Sequence, residues 1–170
     1  MSTRALPSFS AIRANYPTDP DSAKVIQQLG GELTQSWVGP NSCVMRMSKA
    51  FNYAGNSHEI PRSHKGLLTV KGGDGKNYAI RVIEFINYLH RHYCPPDIVK
   101  MGSSITPASF TGRKGIIAWL IDGWTDARGH FTLWDGSTGL FEGGHHYFRD
   151  FGPSAPKDGP RMVKVEFWTC

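Results

Sequence analysis

The hydrophobic pattern of this chain changes period near its middle, and that change limits the folds open to it. Before Cys94-Pro95-Pro96 the apolar residues recur at helical spacing; beyond it they alternate. "SFSAIRANYP" and "DSAKVIQQLGG" predict two short helices, the second with Ser22 near its start and Gly30-Gly31 as its stop. A third opens at Cys43, carries Val44, Met47, Phe51 and Ala54 along one stripe, and ends at Gly55. Residues 56–77 read as a long polar connection. "YAIRVIEFINYLHRHY" is the strongest helix, with Val82, Phe85, Ile86 and Leu89 on its buried face and Pro95 ending it. In the second half, "GIIAWLI" (115–121) predicts a central strand and "GHFTLWD" (129–135) an alternating one. "DGST" is a turn, "GLFEGG" a return strand, and "RMVKVEFWT" (161–169) closes the sheet. Helices first and an antiparallel sheet after make an α+β fold, expected as one domain over residues 1–170.

At 170 residues, with 39% hydrophobic and 19% charged residues, the chain has enough material for a real core. Its net charge of +5 favours anionic partners such as nucleic acid, anionic lipid or cell-wall polymer. The basic residues are scattered, which argues against a nucleic-acid stripe. No apolar run reaches the ~18 residues of a membrane span. The start, "MSTRALPSFSAIRANYP", has no apolar signal-peptide core, so synthesis in the cytoplasm and export by a dedicated machine are expected. Cys43, Cys94 and Cys170 form an odd set whose spacing fits no zinc motif.

Cys43 carries the chemical reading. It follows the capping residues Asn41 and Ser42, and a helix start stabilises a thiolate through its N–H groups and dipole. The same N–H groups suit an oxyanion. The bland reading is a buried core cysteine, among the commonest of core residues. A thiolate needs a base, and His130, after Gly129 at the head of an alternating strand, is the best placed. The third member depends on a loop. With Gly136, Ser137 and Thr138 as a three-residue loop, Thr132 opposes Glu142, which then shares the His130 face; with a two-residue loop the faces swap and His145 follows that face. Glu142 is preferred and Asp135 is second, though Asp135 also reads as a turn-starting residue. His58 and His64 lie in the polar loop, His90 and His92 are two apart on a helix, and the His145-His146 pair has no third ligand at a metal-site spacing, so neither a metal nor another cofactor is expected. Trp37, Tyr53, Trp119, Trp124 and Trp134 are candidates for a substrate groove, Trp124 foremost. Arg46, three residues past Cys43, is the better of two arginines (Arg46 and Arg128) for meeting an anionic substrate.

"SCVMRMSKAFNYAG" and "GIIAWLIDGWTDARGHFTLWDG", with "SFSAIRANYP…IQQLGG" and "NYAIRVIEFINYL", resemble the fourth family of type VI secretion amidase effectors. The resemblance implies a papain-like, NlpC-type cysteine amidase that cuts peptidoglycan stem peptides between D-glutamate and meso-diaminopimelate. It implies delivery by the secretion machinery into the periplasm of target bacteria, and a cognate immunity protein as partner. The family's nucleophile falls on Cys43 and its base on His130. Its third residue, an aspartate about eleven positions past the histidine, has Glu142 as the nearest carboxylate here. The cysteine pair flanking that aspartate in the family has no counterpart in this chain. Three other readings compete: a non-catalytic cell-wall binding module on the same scaffold, with an unreactive Cys43; a transferase or deamidase using the same Cys–His pair; and a nucleic-acid binder with steeply salt-dependent affinity.

Overall fold

Pro95 and Pro96 stop the helical half of the chain, and the packing divides at the same point. The computed structural model describes residues 4–125, 127–137, 140–142, 148, 151–153, 156 and 158–170, and of residues 56 and 140–142 only the backbone. The chain forms two compact units, Met1–Cys94 and Pro95–Cys170.

The first unit is built around one helix. Helix α1 (Phe9–Asn15) starts at Ser8, whose hydroxyl accepts from the Ala11 N–H at 3.3 Å. Helix α2 (Ser22–Leu29) starts at Ser22, as its sequence signal predicts, with Asp21 as the cap, accepting from the N–H groups of Ala23 and Lys24. It stops at Gly30 with φ +63°. Helix α3 (Cys43–Tyr53) begins and ends where the spacing predicts, but it is buried on nearly every side, not along one stripe. Its polar residues are therefore buried with it. Ser48 Oγ accepts from the Ala79 N–H, and Asn52 accepts from the Ile60 N–H while donating to the Asn77 carbonyl. Helix α4 (Val82–His92) presents Phe85, Ile86, Tyr88 and Leu89 to the core, where Phe51, Phe85 and Tyr93 meet edge to face.

The expected polar connection and the first turn of α4 correct to a hairpin. Strands β1 (Thr69–Lys71) and β2 (Asn77–Ala79) pair antiparallel, with Val70 across from Tyr78. Both side chains enter a core with Val25, Leu29, Leu33 and Met45. The hairpin turn is tied to the end of α2 by the Gly73 N–H on the Leu29 carbonyl at 2.8 Å.

The second unit is a five-stranded antiparallel sheet in the order β3-β7-β4-β5-β6, from β3 (Ile98–Met101), β4 (Lys114–Asp122), β5 (Gly129–Asp135), β6 (Leu140–Glu142) and β7 (Arg161–Thr169). β4 is central, as its unbroken apolar run predicts. β7 does not close the sheet; it lies between β4 and the edge strand β3, which the sequence did not signal. Gly115 permits the close approach of β7 to β4, since a Cβ there would lie 1.9 Å from the Trp168 carbonyl oxygen. One sheet face carries Ile117, Trp119, Ile121, Val165 and Phe167 into a core with Ile105 and Phe110. Asp135 pairs with Leu140, so the β5–β6 loop spans four residues, 136–139, in place of the three or two expected. Thr138 of the "DGST" turn and Gly139, Gly143 and Gly144 of "GLFEGG" lie outside the described residues.

The α2 stop yields a test. A methyl at Gly31 (φ +64°) would meet the backbone of Gly72 at 2.5 Å and of Gly73 at 2.6 Å, whereas one at Gly75 (φ +77°) meets nothing within 4 Å. Gly31→Ala is expected to cost about 3 kcal/mol in urea unfolding, from the backbone conformation and overpacking together, and Gly75→Ala about 1 kcal/mol from conformation alone. Equal losses would refute the close packing of α2 against the hairpin turn.

Candidate active site

Cys43 is the first residue of α3 and is buried, 2% exposed. Its neighbour Ser42 occupies the cap position with αR backbone angles, yet its side chain makes no capping bond. The Ser42 hydroxyl instead bonds Ser22 Oγ at 2.9 Å and accepts from Arg46 Nε at 2.9 Å. The usual occupant of a helix start, the cap's own oxygen, is thus turned elsewhere.

Arg46 corrects an expectation. It is not a surface cation offered to substrate: it is 4% exposed. Besides Ser42, its guanidinium donates to the Pro17 carbonyl at 3.0 Å and to the Asp19 carbonyl. It ties the α1–α2 connection to the first turn of α3, a role suited to a planar group with several fixed donors. The sequence signal for this was an arginine inside a helix whose neighbours are nearly all apolar; Ser22, its indirect partner, carried no signal of its own.

His130 is the second residue of β5, half-buried and directly across from Trp119 of β4. It sits at the rim of the sheet. The β4 ladder shifts register at Leu120/Ile121 in its pairing with β7, and the Ile121 N–H reaches the Arg128 carbonyl at 3.3 Å, closing the loop that leads into β5. Trp124, in that loop, is half-buried, with its ring edge-on to Phe151 at 5.2 Å. Trp119 and Trp134 are core residues, 0% and 3% exposed.

The two carboxylates proposed beside His130 are repositioned. Glu142 pairs with Leu133, not with Thr132, because the loop is one residue longer than the favoured reading. A one-residue slip exchanges the faces of a strand, so the register that was to bring Glu142 to His130 is not the one formed. Asp135 lies at an odd spacing from His130 along β5, and is held at the strand end. It accepts from the Ser137 hydroxyl at 2.5 Å and N–H at 3.1 Å, and pairs with Lys114 across the ladder at 3.0 Å. The Ser137 hydroxyl, then Lys114, pull its carboxyl down to about 2.

Among the other histidines, His58 Nδ1 lies 3.4 Å from Tyr93 Oη, and the His64 and His92 rings meet edge to face at 5.8 Å. Burial holds both His58 and His92 below the usual imidazole range. The His145-His146 pair lies outside the described residues. No helix among the described residues is long and apolar enough to cross a membrane.

Residues 40–168 match the sequence profile of the type VI secretion system amidase effector protein 4 family, Tae4. Among solved structures, the Tae4–Tai4 effector–immunity complex from Enterobacter cloacae matches at 31% identity and a TM-score of 0.79, over 96% of this chain and 98% of that one. The Tae4 effector of Enterobacter cloacae matches at 30% and 0.79 over 99% of each. The Tae4–Tai4 complex from Salmonella Typhimurium matches at 27% and 0.78, over 96% and 98%. No curated protein matches the chain. The fold is of the papain-like NlpC/P60 type, a class of amide-cleaving enzymes. Within it, the chain belongs to the Tae4 family, the antibacterial peptidoglycan amidases delivered by type VI secretion.

Two predictions follow from these side chains. Arg46→Ala is expected to destabilise the protein by about 2 kcal/mol in urea unfolding, since it strands two part-buried carbonyls and the buried Ser42 hydroxyl, and Arg46→Lys to recover only part of that. A loss under about 1 kcal/mol combined with a raised KM would return Arg46 to substrate binding. For Asp135, the folded carboxyl titrates below its ordinary 3.8, near 2. Its stabilisation is full above the ordinary value and disappears as pH falls through about 2. The stability gap between wild type and Asp135→Asn should therefore be constant from neutrality to about pH 4 and close towards pH 2. A gap that persists at pH 2 would contradict the assignment.

Proposed function

We propose that the chain hydrolyses peptidoglycan stem peptides through a thioester on Cys43, with His130 as its base. The observation that carries the reading is the start of α3: a cysteine at the first helical position, with the cap hydroxyl of Ser42 committed to Ser22 and Arg46. Helix N–H groups there favour negative charge on sulfur and on a tetrahedral oxygen. Membership of an amidase family, with a match that spans both Cys43 and His130, supports the same pair.

In this reading His130 takes the thiol proton and Cys43 Sγ attacks the scissile amide carbon. The carbonyl oxygen becomes an oxyanion held by N–H groups at the helix start, that of Cys43 among them. The intermediate collapses with loss of the amine, which receives the proton from His130. Water, deprotonated by His130, then attacks the thioester carbon and releases the carboxylate and the thiol. No cofactor takes part. Trp124, half-exposed ahead of His130, is the proposed wall for the bound peptide. Glu142 stands across from Leu133 and Asp135 is paired with Lys114, so this reading assigns no step to either.

The proposed bond is the one between D-glutamate and meso-diaminopimelate, and the proposed place of action is the periplasm of a target bacterium after delivery by the secretion apparatus. The Tae4 effectors of Enterobacter cloacae and Salmonella Typhimurium have been solved in complex with Tai4 immunity proteins; a cognate immunity protein is proposed to restrain this chain likewise.

Muropeptide analysis by mass spectrometry tests the reading. Wild-type protein should release fragments from purified sacculi with a new amine on diaminopimelate. Cys43→Ala and His130→Ala should fold, by circular dichroism, and lose at least about 10³-fold in rate. Iodoacetamide near neutral pH should alkylate Cys43 of the wild type. Digestion by Cys43→Ala at the wild-type rate would refute the mechanism, and an inert Cys43 with no cleavage would favour a binding module.

A further inference from the structure

Trp37 is 62% exposed, an unusual place for the largest apolar side chain. It lies in a single 3-10 turn, Ser36–Val38. The turn is fixed on both sides: the Val38 N–H donates to the Gln35 carbonyl at 3.0 Å, and the Gly39 N–H to the Ser36 carbonyl at 3.4 Å. Val38 itself packs against the Val25, Leu29, Leu33 and Met45 core. The ring of Trp37 is therefore presented to solvent by an anchored backbone. Tyr53, the other exposed aromatic residue among the described residues, is already engaged, with Lys49 Nζ 3.8 Å over its ring and its hydroxyl on Asp74 at 2.8 Å.

The turn precedes Cys43 closely. Five residues lie between Trp37 and Cys43, a span of at most ~22 Å. We propose that Trp37 is a sugar subsite, stacking its indole on a pyranose of the glycan strand that bears the stem peptide. This rests on the cleavage reading above. In that reading the scissile bond follows the second residue of the stem, a glutamate joined through its side-chain carboxyl, so about 10 Å of peptide plus the lactyl link separate it from the sugar. A sugar tethered so near the cut falls within the reach of the Trp37 turn. A flat, rigid aromatic face with a polar edge is the surface that an amphipathic sugar ring covers at little entropic cost. A stem peptide alone would leave that face bare.

The test separates sugar from peptide and from the immunity partner. First, saturation-transfer NMR on the sugar protons of the N-acetylglucosamine–N-acetylmuramic acid disaccharide is recorded with Cys43→Ala protein. Transfer is expected, and Trp37→Ala in the same background should abolish it; Trp37→Tyr should keep most of it. Second, in the active protein, the ratio of kcat/KM for a disaccharide-bearing stem to that for the sugar-free stem should fall about tenfold in Trp37→Ala, through KM. An unchanged ratio overturns the proposal, as does saturation transfer that survives Trp37→Ala. A loss confined to binding of an immunity protein overturns it too. The NMR arm does not require catalysis, so failure of the Cys43 mechanism would appear as inactive wild type with sugar contact intact.

Discussion

The first unit depends on α3 being able to bury its polar side chains. A helix sunk on nearly every side would ordinarily be apolar throughout, yet this one carries Arg46, Ser48 and Asn52 inside. Each is matched to a backbone group of a segment that wraps the helix: Arg46 to the Pro17 and Asp19 carbonyls, Ser48 to the Ala79 N–H, Asn52 to the Ile60 N–H and the Asn77 carbonyl. Leaving any one unmatched would cost about 1–3 kcal/mol. The three side chains therefore work as fasteners as well as satisfied groups. They fix the α1–α2 connection, the residue that follows the 56–59 segment, and the second strand of the hairpin around one rigid rod.

That arrangement bears on chemistry through the first turn. A nucleophile gains from a backbone that does not have to reorganise when charge develops. Cys43 heads the most enclosed helix of its unit, and the residue that would cap it is bonded to Ser22 and Arg46. Arg46 is thus linked to the helix start by position and through Ser42, with its charge spread over carbonyls and a hydroxyl. A lysine would fill the volume but not the directions. An arginine at this place answers a geometric demand of the backbone, and its nearness to Cys43 in sequence does not make it a substrate contact.

Much of the local structure was legible in the sequence, because it follows from side-chain period. Helices α1 to α3 and strands β4, β5 and β7 fall where spacing and punctuation put them. The failures have physical causes. α4 was begun too early because Tyr78 and Ile80 extend the apolar rhythm of "VIEFINYL" by coincidence, and because the residue before the helix, Arg81, makes no side-chain cap bond to mark the start. The hairpin that claims Tyr78 is only three residues per strand, too short for alternation to declare itself. Strand order was beyond a local reading: β7 reaches the sheet interior by pairing with β3, more than sixty residues upstream. In the candidate site, the place of Cys43 at a helix start and of His130 near the head of a strand was legible from spacing, whereas the burial of Arg46 depended on carbonyls of the α1–α2 connection.

The expected register of Glu142 was lost to one loop position. Between Asp135 and Leu140 the chain spends four residues, and that single addition moves the partner of Glu142 from Thr132 to Leu133. Asp135 is not a substitute. It stands five residues from His130 on a strand whose side chains alternate, and its carboxylate is the end clamp of the β4–β5 ladder, gripped by Lys114 and Ser137. A cysteine–histidine pair tolerates this better than a serine–histidine pair would. A thiol is far more acidic than a hydroxyl, so less is asked of the base, and the third group serves chiefly to hold the imidazole's tautomer and angle. For the proposed pair, His130 stands on a strand across the ladder from the fully buried Trp119, so the sheet core fixes the backbone from which the imidazole projects.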